Sequence, residues 1–140
     1  MILHVEAAVC PGPAQERTAA VLSECVARVW RPAGRETESS FDVLRAALGE
    51  CGSAGVLLAT ADLRRIEARA ALAILALVAA VDAPDIVAPS CDAGEVPPLA
   101  FYHRRLLGRM DAGTGDLPAL LAGAEVLWIP LEELRPLGWS

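Results

Sequence analysis

Apolar and polar positions along the chain follow two rhythms that alternate from one end to the other. Residues 2–9 alternate weakly and predict a first strand. The turn Cys10-Pro11-Gly12-Pro13 follows. Ala14, Thr18, Val21, Leu22, Cys25, Val26 and Val29 then recur at helical spacing, which predicts a helix to about residue 29. The alternation Ala27-Arg28-Val29-Trp30 allows a short strand at its end instead. Residues 32–40 are polar and read as a loop, and Ser40 is placed to cap a helix over 41–48. The run Gly55-Val56-Leu57-Leu58-Ala59-Thr60-Ala61 is continuously apolar or small up to its last turn. Such a run suits a strand covered on both faces, as in parallel sheets. A helix is predicted over 67–80 and a strand over 85–89. Residues 97–102 read as extended, and Pro97 and Pro98 argue for a sheet edge or the entry to a strand. A short helix over 103–110, a helix over 117–122 behind Asp116 and a strand over 124–130 complete the series. Residues 131–140 carry no predicted element. The alternation of strand and helix predicts an α/β fold of three layers with a mostly parallel sheet, residues 1–140 forming one domain.

Composition narrows the function more than the fold. The chain is 54% apolar, ample for a packed core. Its longest apolar run, residues 70–81, falls short of the roughly 18 residues that cross a bilayer, and it lies between Arg69 and Asp82. No basic segment precedes the first apolar residues, so no signal peptide is read and a cytoplasmic location is expected. The formal net charge of -6 argues against nucleic acid or an anionic membrane as partner. The chain contains neither lysine nor asparagine, so chemistry that needs an ammonium or a side-chain amide from Asn is excluded. Cys10, Cys25, Cys51 and Cys91 form no C-x-x-C pair and are expected to be reduced. His4 and His103 have no ligand spacing beside them, so a Cys/His metal site is not expected.

Asp62 follows the central apolar run, where open parallel sheets place their ligands. It is a candidate ligand for metal or substrate; equally, Asp is a favoured cap for a following helix. Cys10 stands at a strand-to-helix turn, where a thiol is readily activated, with His4 or His103 as the available bases. Against that, a cysteine at a strand end is usually a small apolar filler. Arg104, Arg105 and Arg109 share one short helix and could hold an anion or form a solvated face.

The order of parts resembles the molybdenum cofactor guanylyltransferase family and its relatives with a nucleotide-diphospho-sugar transferase fold. The strings that carry the resemblance are Phe41–Leu48, Val56–Asp62, Asp85–Pro89, Pro97–Leu107 and Asp116–Leu121 followed by Val126–Pro130. The resemblance implies Asp62 as a metal ligand, with Mg²⁺ as the ion. It implies Gly12, Arg17 and Tyr102 as contacts for a nucleotide or pterin. The chain also departs from that family. The family's phosphate loop is rich in glycine and carries a lysine. Here the equivalent place is Ala8-Val9-Cys10-Pro11-Gly12-Pro13, and Arg17 is the nearest cation. The family's closing Asn-containing metal segment has no counterpart, because there is no asparagine. One carboxylate alone holds Mg²⁺ weakly.

Two functions are therefore expected in competition. One is a nucleotidyltransferase-like domain without catalysis that acts by binding a ligand or a protein. The other is a minimal Mg-dependent nucleotidyltransferase that uses Asp62, with Arg17 in place of lysine. Self-association as a homodimer is expected from the apolar composition, through Trp128, Ile129, Leu137 and Trp139.

Overall fold

The computed structural model describes residues 5–31, 39–63, 66–80, 84–92, 94–112 and 115–139. The strands are β1 (Glu6–Val9), β2 (Arg28–Trp30), β3 (Gly55–Ala59), β4 (Ile86–Pro89), β5 (Leu99–His103) and β6 (Val126–Ile129). The helices are α1 (Gln15–Leu22), α2 (Ser40–Glu50), α3 (Ala68–Ala80), α4 (Leu107–Asp111), α5 (Leu117–Gly123) and α6 (Leu131–Leu134). All six strands join one sheet in the order β2-β1-β3-β5-β4-β6. Every pairing is parallel except those of β5 with β3 and β4.

Helices cover both faces of this sheet, which gives the expected three layers. One face presents Ala8, Val56, Leu58, Ile86, Ala88, Ala100 and Tyr102 to α2, α4 and α5. The other presents Ala7, Val9, Leu57, Ala59, Val87, Leu99 and Phe101 to α1, α3 and α6. Strand side chains alternate between faces, so the central strands must be apolar at every position. That is why β3 reads as an unbroken apolar run, and all five of its residues are buried. Gly55 opens β3 because nothing larger fits. A Cβ there would overlap the Tyr102 carbonyl oxygen and lie 2.7 Å from the Phe101 ring.

Four expectations change. The helix after the first turn stops at Leu22, and Arg28–Trp30 is the edge strand β2, the alternative that the alternation allowed. The cap of α2 is Ser39, whose hydroxyl accepts from the Asp42 N–H, one residue before the expected Ser40. Residues 99–103 form an interior antiparallel strand, not an edge. Pro97 and Pro98 stand just ahead of the paired residues, so neither removes a ladder hydrogen bond, and the Pro98 carbonyl accepts the Thr60 N–H. Residues 131–137 are helical and fold back under the sheet, with Leu134 and Trp139 in the core. No helix among the described residues is long and apolar enough to cross a membrane.

Candidate functional site

In an open α/β sheet the ligand crevice lies beyond the carboxyl ends of neighbouring strands whose connections leave in opposite directions. Here that point lies between β1, which leads through α1 to β2, and β3, which leads through α3 to β4. The structure brings Gly12 and Asp62 to this edge. It does not open a crevice between their loops. The Cys10 N–H donates to the Ala59 carbonyl at 2.9 Å. Gly12 lies so close to Ala61 that its missing Cβ would come within 3.2 Å of the Ala61 Cβ.

The turn from β1 to α1 is also poor in donors. Phosphate recognition at a helix N-terminus needs several free N–H groups converging on one point. Pro11 and Pro13 have none. The Gln15 N–H is bonded to the Gly12 carbonyl at 3.1 Å, and the Gln15 side-chain amide turns back to the Val9 carbonyl at 3.1 Å. Glu16 puts a carboxylate in the first turn of α1 and pairs with Arg31 at 3.2 Å. Arg17 is exposed on the same helix.

Asp62 is exposed in the turn after β3, and its N–H donates to the Thr60 hydroxyl at 3.3 Å. It does not cap α3, which begins at Ala68. Among the described residues no group of three or more His, Cys, Asp or Glu is arranged to hold a metal. Asp62 is a single carboxylate there, and Mg²⁺ is usually held by one or two carboxylates together with substrate phosphates.

Tyr102, implied as a ligand contact, is fully buried inside the layer beneath α2, α4 and α5. Its hydroxyl has no hydrogen-bond partner, and burial, followed by nearby Cys91 and Cys10, pushes it far above the usual phenol range. It is a core residue at the centre of the sheet.

Cys10 lies at the carboxyl end of β1, with Ser40 as a 3.7 Å neighbour. His103 cannot act as its base. It pairs with Gly55 at the start of β3, so the two sit at opposite ends of the sheet, roughly 13 Å or more apart along the strand direction. His4 lies outside the described residues. The His103 imidazole accepts the Arg105 N–H on Nδ1 at 3.1 Å and caps a turn of 3-10 helix. Burial, with Arg105 beside it, draws its pKa below the usual range and keeps Nδ1 available as an acceptor.

The arginine cluster faces a carboxylate. Asp85, buried just before β4, takes a close ion pair from Arg105 and a longer one of 3.8 Å from Arg109, and accepts the Glu125 N–H at 3.0 Å. Arg109 also donates to the Gly123 carbonyl at 2.6 Å. These arginines tie α4 and α5 to the sheet at the end opposite Asp62.

One cavity near the carboxyl edge was not singled out by the sequence. It has a volume of about 440 Å³ and is lined by Pro89, Ser90, Cys91, Asp92, Glu95, Pro98, Leu131 and Trp139. Burial first, then Glu95 and Asp92, raise the pKa of the Cys91 thiol and keep it uncharged. The charge on the wall is therefore the two carboxylates. The signal in the sequence is Ser90-Cys91-Asp92, which follows β4 directly.

No protein-family model matches the chain, and no characterised protein matches it by sequence. Solved structures match it by shape. Aq1419 from Aquifex aeolicus VF5 superposes with a TM-score of 0.71 at 16% identity, over 95% of this chain and 90% of that one. The bifunctional IspDF from Campylobacter jejuni gives a TM-score of 0.63 at 11% identity, over 93% of this chain and 50% of that one. Rv0371C from Mycobacterium tuberculosis H37Rv, solved in complex with manganese, gives 0.56 at 13% identity, over 93% and 89%. At these identities the likeness is one of fold, and the fold is nucleotide-diphospho-sugar transferase-like.

Proposed function

We propose that this chain keeps a nucleotidyltransferase-like fold without nucleotidyl transfer and acts by binding. The β1–α1 turn carries the reading. It has two prolines, its first N–H bonds to β3, its single glycine packs against Ala61, and a glutamate stands in the next helical turn. Phosphoryl-type transfer rests on positioning and charge neutralisation, and this turn supplies neither. The acidic cavity at the end of β4 repels a triphosphate for the same electrostatic reason. A pterin related to the molybdenum cofactor is the ligand that the order of the sequence parts favours. Any phosphate it carries would have to lie away from those two carboxylates.

A thermal-shift series tests this. A ligand present at 100 times its dissociation constant stabilises by about 2.7 kcal/mol. CTP, GTP and ATP at millimolar concentration with Mg²⁺ are expected to leave the melting temperature unchanged. A clear rise that disappears in Asp62→Ala would favour the alternative, a minimal Mg-dependent transferase built on Asp62.

A further inference from the structure

We propose that the cavity at the end of β4 binds a small organic cation that also carries a neutral oxygen acceptor, an amino alcohol or an amino amide. The volume of about 440 Å³ suits a small molecule, whose sites span roughly 300–1,000 Å³. The cavity lies beyond the carboxyl end of β4 at Pro89, the side of an α/β sheet where ligands bind. Its wall carries the carboxylates of Asp92 and Glu95, and among the described residues neither has an ion-pair partner. By contrast, Glu6, Glu16, Glu67, Asp85 and Asp111 each face an arginine. The Cys91 thiol beside Asp92 and Glu95 stays uncharged, and no arginine or histidine lines the cavity among the described residues.

Trp139 supplies an independent observation. Expected with Ile129 at a contact between copies, it is instead buried within one copy, as Ile129 is. Only 9% of it is exposed, and its ring lines this cavity. A buried indole N–H usually has a hydrogen-bond partner. The Trp139 N–H has none among the described residues, and it is not sealed from solvent as the Trp30 N–H is. The indole thus offers a donor to a ligand oxygen, and its face attracts a cation. One donor with two carboxylates selects a ligand that is cationic at one end and bears a neutral oxygen at the other. An anionic oxygen would be repelled by Asp92 and Glu95. A metal ion does not fit, since among the described residues no group of three or more His, Cys, Asp or Glu is placed to hold one. The inference rests on the reading that the chain acts by binding, and it names the class of ligand.

Isothermal titration calorimetry of the full chain tests it with phenylalaninol and argininamide, two cations that carry an oxygen acceptor on different bodies. Both are expected to bind saturably, with dissociation constants of about 1 mM or below. Phenethylamine, which lacks the hydroxyl, should bind several-fold more weakly than phenylalaninol. Hydrocinnamyl alcohol, which lacks the ammonium, should bind about tenfold or more weakly. Asp92→Asn together with Glu95→Gln should raise the phenylalaninol dissociation constant about tenfold or more, with unchanged circular dichroism. Trp139→Phe removes the N–H and should erase the preference for phenylalaninol over phenethylamine. Should that variant fold poorly, the two ligands compared on the wild type give the reading. Trp128→Ala alters a separate hollow of about 190 Å³ that shares Asp92 and Glu95, and it should bind as the wild type does. The proposal is overturned if neither cation binds at about 10 mM, or if hydrocinnamyl alcohol binds as tightly as phenylalaninol. It is overturned equally if the carboxylate variant keeps wild-type affinity, or if binding is lost in Trp128→Ala. Each of these results leaves the lack of nucleotidyl transfer standing, because that is tested with triphosphates.

Discussion

Asp85 shows how one residue can organise an end of the sheet, holding Arg105, Arg109 and the Glu125 N–H together. Burial would raise its carboxyl pKa. The Glu125 N–H and the Arg105 guanidinium, with Arg109 beyond, reverse that and hold it below the usual carboxylate range. A carboxyl whose folded pKa is depressed adds stability that is complete above its unfolded value and is lost as the pH falls through the folded one. The unfolded value is about 3.9. Asp85→Asn is therefore expected to cost about 2 kcal/mol in urea unfolding at pH 7. The difference from the wild type should narrow as the pH drops below about 4. An equal difference at pH 7 and pH 3 would show that the charge is not what matters. Glu6 plays a similar part at the start of β1, accepting the Gly52 N–H at 3.0 Å and the Ser53 hydroxyl at 2.9 Å.

Among the elements, β3 has the least tolerance. It pairs with β1 on one side and β5 on the other, and both its faces are covered. Gly55→Ala must displace the backbone of β5 or the Phe101 ring. We expect it to cost about 3 kcal/mol or more, read as a fall in the urea midpoint with an unchanged m-value. A loss under about 0.5 kcal/mol would mean that β5 yields easily. This strand was legible in the sequence because burial on both faces leaves only one solution, an unbroken apolar run. β5 was half legible. Its apolar run was visible, but its interior place depends on pairing with β3 and β4, which are distant in sequence. The closing helical segment at 131–137 was hidden by Pro136 and Gly138. Gly138 in fact adopts φ 95°, a left-handed turn that ends the 3-10 helix after Leu137 and lets Trp139 return to the core.

At the scale of the molecule, the sequence placed Asp62 and Gly12 at the carboxyl edge of the sheet, with an incomplete set of chemical groups around them. Asp62 and Gly12 do meet there. Tyr102 does not, because the direction of a strand side chain depends on register, and register depends on the whole sheet. The cavity at the end of β4 was missed because its walls come from three separate segments, residues 89–98, Leu131 and Trp139. The proposal that this chain lacks nucleotidyl transfer rests on the β1–α1 turn, with Pro11, Pro13 and the packed Gly12. Pyrophosphate release from each of the four ribonucleoside triphosphates, with Mg²⁺ or Mn²⁺ and a sugar-phosphate or pterin acceptor, tests that most directly. The account predicts release no faster than in a protein-free control, and no difference between the wild type and Asp62→Ala. Release by the wild type that is lost in Asp62→Ala would contradict it.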